Sequence, residues 1–116
     1  MSDGIRDAEE VEIEVGGQRW INSWHSSAAV PAGKPHGSAG ICVTEAVEVV
    51  LISADGTSWD FPAGRPEGSE TWEETLRREV LEEACAVVTE ARLLGFCRGR
   101  CVRGHEAGLV LVRSIW

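Results

Sequence analysis

The sequence predicts a single domain that combines one helix with several β-strands, and three observations carry that reading. Thr71, followed three residues later by Glu74, forms a capping box at the head of a stretch free of Gly and Pro up to about Ala84. β-Branched runs lead into the pair Asp55-Gly56, a composition suited to a hairpin turn. The chain has 116 residues, enough for one hydrophobic core and too few for two.

In chain order, residues 1–10 are acidic and expected to fray, which leaves 11–116 as the domain. Val11 to Val15 alternate apolar and acidic side chains at period two, as a short edge strand does. Ser23 to Gly40, rich in Ser, Ala, Gly and Pro, reads as loop. Ile41 to Val43 and Val47 to Ile52 read as strands, with a return over Trp59 to Phe61 after the turn. Pro62-Ala63-Gly64 breaks that strand, and a Gly and Pro loop runs on to Ser69. In the helix, Trp72, Leu76 and Val80 form a stripe at spacing four that should face the sheet. Two further strands are expected, around Val87 to Phe96 and Gly108 to Trp116.

Nineteen acidic and eleven basic side chains give a formal charge of −8. That charge repels phosphate backbones and anionic membranes, so neither bulk nucleic acid nor a membrane is an expected partner. A small anionic substrate is compatible with it when divalent cations bridge carboxylates to phosphate. The opening residues MSDGIRDAEEVEIEV lack the cationic start and apolar core of a signal peptide. A cytoplasmic location is therefore expected, with Cys42, Cys85, Cys97 and Cys101 reduced.

Seven glutamates lie between Glu67 and Glu83, and Glu79 and Glu83 stand one helical turn apart. A like-charged pair at that spacing costs an isolated helix about 0.2–0.5 kcal/mol, which a sequence selected for stability alone would relieve with cations. Glu79, Glu82 and Glu83, at i, i+3 and i+4, point to one side of the helix. Together they offer hard oxygen ligands suited to Mg²⁺ or Mn²⁺.

The wider pattern resembles the Nudix box. Gly64, Glu70, Arg78, Glu79, Val80, Glu82 and Glu83 stand in its register, and Trp59-Asp60-Phe61-Pro62 precedes the box glycine as is common in the family. The box departs from the pattern at Cys85, where a glycine is usual, and at Ala86, where an aliphatic residue is usual. A glycine there would supply a left-handed backbone at the helix end, and forcing Cys85 into that conformation would cost about 1–2 kcal/mol. The likeness covers roughly residues 40–116.

The resemblance implies an α/β/α sandwich with a mixed β-sheet and the box helix packed upon it. It implies a Mg²⁺- or Mn²⁺-dependent hydrolase that cuts a phosphoanhydride bond in a nucleoside diphosphate linked to another moiety. By the same likeness Glu79, Glu82 and Glu83 are the metal ligands, Arg78 positions a box carboxylate, Glu70 steadies that arrangement, and Gly64 lets the loop approach the helix. Family members continue beyond an apolar strand such as Gly108 to Trp116, so a sandwich without its C-terminal strand and helix is expected, and an uncovered sheet face would favour a homodimer. Two other classes stay open: a Nudix-fold nucleotide sensor that does not cut, and an interaction domain with an acidic helix.

Outside the box the signals are weaker. Glu106 is the nearest later carboxylate that could join the site. Arg98, Arg100 and Arg103 form a basic cluster that would meet a substrate phosphate or ribose, or lie solvated in a loop with Cys101 and His105. The spacing of Cys97, Cys101 and His105 fits zinc poorly. Trp20, Trp24 and Trp59 could stack on a base or pack in the core.

Overall fold

The computed structural model describes residues 7–116. Its elements, in chain order, are β1 (Glu10–Val15), β2 (Gln18–Ser26), β3 (Lys34–Ala39), β4 (Ala63–Gly64), α1 (Trp72–Ala84), β5 (Gly95–Arg103) and β6 (Val110–Ile115). The strands follow the order β1-β2-β5-β6-β3-β4 across one sheet. β1 pairs with β2, β2 with β5, and β3 with β4, all antiparallel. Trp116 N donates to Ala39 O while Ile41 N donates to Trp116 O, the staggered pattern of parallel neighbours, so the sheet is mixed.

The chain divides into two compact units. The first takes the residues up to His36 together with Leu94–Arg113. There β1 is an edge strand exposed along its whole length, with Glu10, Glu12 and Glu14 alternating with Val11, Ile13 and Val15. The predicted strand is therefore present, and Glu10, expected to fray, opens it. The rest of the predicted frayed segment as far as residue 6 lies outside the described residues. Phe96, Cys101 and Val112 are the buried apolar side chains of this unit.

Composition misled over Ser23–Gly40, where β2 ends and β3 runs in place of the expected loop; only the connection between them is irregular. β2 is flanked by ladders on both sides, and those backbone hydrogen bonds outweigh the turn preference of its Ser and Asn residues. A second correction concerns Val87–Phe96, since the strand begins only at Gly95. The segment before it is irregular, and Arg77 Nη1 ties it to the helix by donating to Val88 O at 2.6 Å.

The second unit, Gly37–Leu93 with Ser114–Trp116, holds α1. The helix forms as its sequence requires. Thr71 Oγ1 accepts from Glu74 N at 3.1 Å, and Glu74 Oε1 accepts from Thr71 N at 2.9 Å, so the capping box satisfies two N–H groups at the helix entry. Leu76 and Val80 are buried, each contributing about 1.5–3 kcal/mol of transfer free energy. Ser38, on β3, donates to Trp72 O at 2.8 Å and accepts from Ser114 Oγ at 2.7 Å, fixing the first turn of the helix against the sheet.

Ile41–Val43 and Val47–Ile52 do not form the expected strands. Two isolated bridges, Val43 with Val49 and Ile52 with Asp60, and scattered backbone bonds such as Val50 N to Cys42 O take the place of a continuous ladder. Val43, Val47, Val49 and Leu51 are exposed, and side chains of high β propensity or apolar character without a packing surface hold no ladder. The Asp55-Gly56 turn itself is well made. The Asp55 carboxylate accepts from Thr57 N and Ser58 N, both at 2.8 Å, and these bonds pull its pKa well below the usual carboxylate range.

Candidate active site

α1 delivers the box residues from its second and third turns. Because 3.6 residues complete a turn, Arg78, Glu79 and Glu82 fall on one side and Glu83 at its border with the stripe of Leu76 and Val80, which point into the core. Arg78 is the hub. Its Nε donates to Glu70 Oε2 at 2.8 Å and its Nη2 to Glu70 Oε1 at 3.0 Å, a two-pronged grip on a loop carboxylate. Nη1 reaches Glu79 Oε1 at 2.6 Å and Glu82 Oε2 at 3.2 Å, and Nη2 also donates to Arg65 O at 2.8 Å.

These bonds explain the charge states. The Arg78 guanidinium, helped by the Glu67 N–H and the Thr75 hydroxyl, holds Glu70 down to about 2 from an ordinary 4.5. Glu70 in turn, with Glu79, raises the Arg78 pKa above its usual value. The acidic cluster is thus organised around one buried-stem cation with a planar fork, a role a lysine would not fill.

Glu83 is placed differently, because its Oε1 accepts from Ala63 N at 2.9 Å, from the segment just before the box glycine. Gly64 is where loop and helix touch. A Cβ on residue 64 would overlap the Glu79 carboxylate, so the absence of a side chain there sets the approach. Each carboxylate is held by one oxygen: Oε1 of Glu79, Oε2 of Glu82 and Oε1 of Glu83. Among the described residues, no three His, Cys, Asp or Glu side chains stand in a metal-ligating arrangement.

The geometry therefore assembles Gly64, Glu70, Arg78, Glu79, Glu82 and Glu83 on the loop and helix of one unit. A family profile described as the NUDIX domain matches residues 34–114. The chain belongs to the Nudix family. The Nudix fold is also what a solved structure shares with it, a mutant form of the Bacillus subtilis pyrophosphohydrolase BsRppH, with a TM-score of 0.62 and 22% identity. That match covers 90% of this chain and 62% of the other, so this Nudix chain spans about 62% of that protein's length. No curated protein matches it.

Several partners in this Nudix site were invisible to sequence reasoning. Ala63 N–H, Arg65 O and Glu67 N–H act through the backbone, which carries no residue signature. Thr75, buried and bonded to Glu70 Oε1 at 3.2 Å, could have been found as a polar residue beside the apolar stripe.

The weaker candidates sort themselves by their partners. Arg98, Arg100 and Arg103 are on strand β5, not in a loop. Arg100 pairs with Glu10 and Arg103 with Glu14, both at 3.3 Å. Cys101 is also on β5, buried, with its thiol donating to Gln18 Oε1 at 3.6 Å. Glu106 is clasped by the Gln18 amide: Gln18 Nε2 donates to Glu106 Oε1 and Glu106 N donates to Gln18 Oε1, each at 2.8 Å. Trp59 is 60% exposed, five residues before Gly64, while Trp20 and Trp24 are half-buried.

Proposed function

We propose that the chain hydrolyses a phosphoanhydride bond in a nucleoside diphosphate linked to another moiety, using Mg²⁺ or Mn²⁺ held by Glu79, Glu82 and Glu83. The observation that supports this reading is the Arg78 hub, which spends its five donors on orienting acidic side chains and one carbonyl instead of on neutralising a surface. Three carboxylates within five residues of one helix are the kind of hard-oxygen donors a divalent ion takes, once their side chains turn toward it. Such an ion would offset phosphate charge and favour deprotonation of a water.

The chain's own groups supply the rest. Arg78 and Ala63 N–H orient the carboxylates of Glu79 and Glu83 at the junction of loop and helix. One of the three glutamates takes the proton as water oxygen attacks phosphorus and the P–O bond of the leaving phosphate breaks. Trp59, exposed near the box glycine, offers a face on which a base can stack.

The test is a panel of nucleoside diphosphate derivatives with and without Mg²⁺ or Mn²⁺, comparing wild type with Glu83→Gln. Turnover should require the metal, and the variant should lose about 100-fold or more. A nucleotide sensor that binds without cutting is the second reading, favoured by the ion pairs that already occupy Glu79 and Glu82. It predicts nucleotide binding, no products at any metal concentration, and no difference between the two proteins in that assay.

A further inference from the structure

The β2 and β5 strands carry four arginines, and their partners differ in kind. Arg19 pairs with Glu12 and Glu14, Arg100 with Glu10, and Arg103 with Glu14. Arg98 alone of the four has no carboxylate partner among the described residues; its Nε donates to Ala32 O at 2.7 Å. A carbonyl orients a guanidinium without neutralising it, so Arg98 keeps its full charge and presents Nη1 and Nη2 in a fixed direction. In a chain of net charge −8, a guanidinium without a carboxylate partner favours an anion beside it.

What stands beside it is also suited to an anion. Ser23 is the cross-strand partner of Arg98, so their side chains share a sheet face with Cβ atoms about 4.5–5.5 Å apart. Ser23 is 9% exposed, and its hydroxyl is hydrogen-bonded to His25 Nε2 at 2.8 Å, two residues along on the same face. When His25 carries its proton on Nε2, the imidazole donates to Ser23 Oγ and frees the serine hydrogen to donate outward. The acid nearest to Ser23 on its other side, Glu10, is engaged by Arg100.

We infer that Arg98, Ser23 and His25 form an oxyanion site on the β2–β5 face, built for a phosphoryl group. Arg98 supplies the charge and the fork, Ser23 one directed hydroxyl, and His25 sets the direction of that hydroxyl. This site involves neither the box carboxylates nor a metal, so it goes beyond the hydrolytic reading and can stand or fall separately from it.

The experiment is a metal-free titration of the full chain with inorganic phosphate and, in parallel, a nucleoside monophosphate, followed by the NMR signals of the His25 ring and the Arg98 Nε–H. Both signals should shift saturably in wild type. Arg98→Met should weaken binding by about tenfold or more, the expected loss of a charge-assisted pair, and Arg98→Lys by less. Arg92→Met, which removes the same charge from the irregular segment before β5, should leave the affinity within about twofold. Ser23→Ala should weaken binding while Arg98 Nε–H stays in place. If the monophosphate binds more tightly than inorganic phosphate, the source of the phosphoryl group is a nucleotide; the reverse order names free phosphate. No saturable shift with either anion, or an Arg98→Met protein that binds as wild type does, overturns the site. Loss of hydrolysis with this binding intact would instead count against the proposed reaction.

Discussion

Arg78 grips Glu70 through two parallel hydrogen bonds of 2.8 and 3.0 Å, joining the second turn of the box helix to the loop that precedes it. A carboxylate held this way has a folded-state pKa below its unfolded one, here about 2 against 4.5. Its stabilisation is therefore fully present above 4.5 and is lost as pH falls through that window. Thermal melts from neutral pH downward should show part of the acid sensitivity of wild type arising here. Glu70→Gln should be less stable than wild type at neutral pH, with the gap closing by about pH 2. A gap that stays constant with pH would show that Glu70 acts through its shape and not its charge.

Gly64→Ala separates the site from the fold. The three atoms nearest the added Cβ all belong to the flexible Glu79 side chain, Cγ as well as the carboxylate, and the backbone at Gly64 is not in the left-handed region. Stability should therefore change by less than about 1 kcal/mol in chemical denaturation. Hydrolysis and metal affinity should fall by about 10–100-fold, as they do when a ligand's support is displaced. Equal loss of stability and activity would argue that Gly64 serves packing alone.

How far these features could be read in advance depends on where the determinants lie. The helix from Trp72 to Ala84 and its Thr71 cap rest on local spacing and side-chain chemistry, and both are present; the Arg78–Glu70 grip is a contact that the family resemblance, not local spacing, pointed toward. β2 was missed because a strand such as Gln18–Ser26 is made by neighbours distant in sequence, with residues up to 103 completing its second ladder. Val47–Ile52 failed in the opposite sense: strong β propensity, but exposed side chains and a positive φ at Val47. The unpaired charge of Arg98 could not be foreseen, since it depends on which arginines the β1 glutamates happen to reach.

Cys85 ends the helix with φ 53° and ψ 35°, its N–H donating to Leu81 O. A non-glycine residue in that left-handed region is strained, and glycine is the residue that relieves it. Cys85→Gly should raise stability by about 1 kcal/mol, less the extra entropy glycine gives the unfolded chain. Metal affinity measured by calorimetry should not change, because Cys85 holds none of the box carboxylates. A large gain in affinity would mean that the strained helix end withholds Glu82 or Glu83 from the ion.

Glu106 was a candidate for the reaction, yet the Gln18 amide clasps both its carboxylate and its backbone N–H, and a Cβ on Gly104 would run into the Gln18 side chain. The turn between β5 and β6 is shaped around a glutamine that is only 7% exposed. Glu106→Gln keeps an oxygen that Gln18 Nε2 can donate to and removes only the charge, so turnover should stay within about threefold of wild type, well short of the 10²–10⁴ that a general base supplies. Gln18→Ala should be the costlier change, about 1–3 kcal/mol in denaturant unfolding, because it strands a polar N–H in the turn. A Glu106→Gln protein that folds normally but turns over a hundred times more slowly, beyond any hydrogen-bond effect of this size, would assign the carboxylate to the chemistry after all.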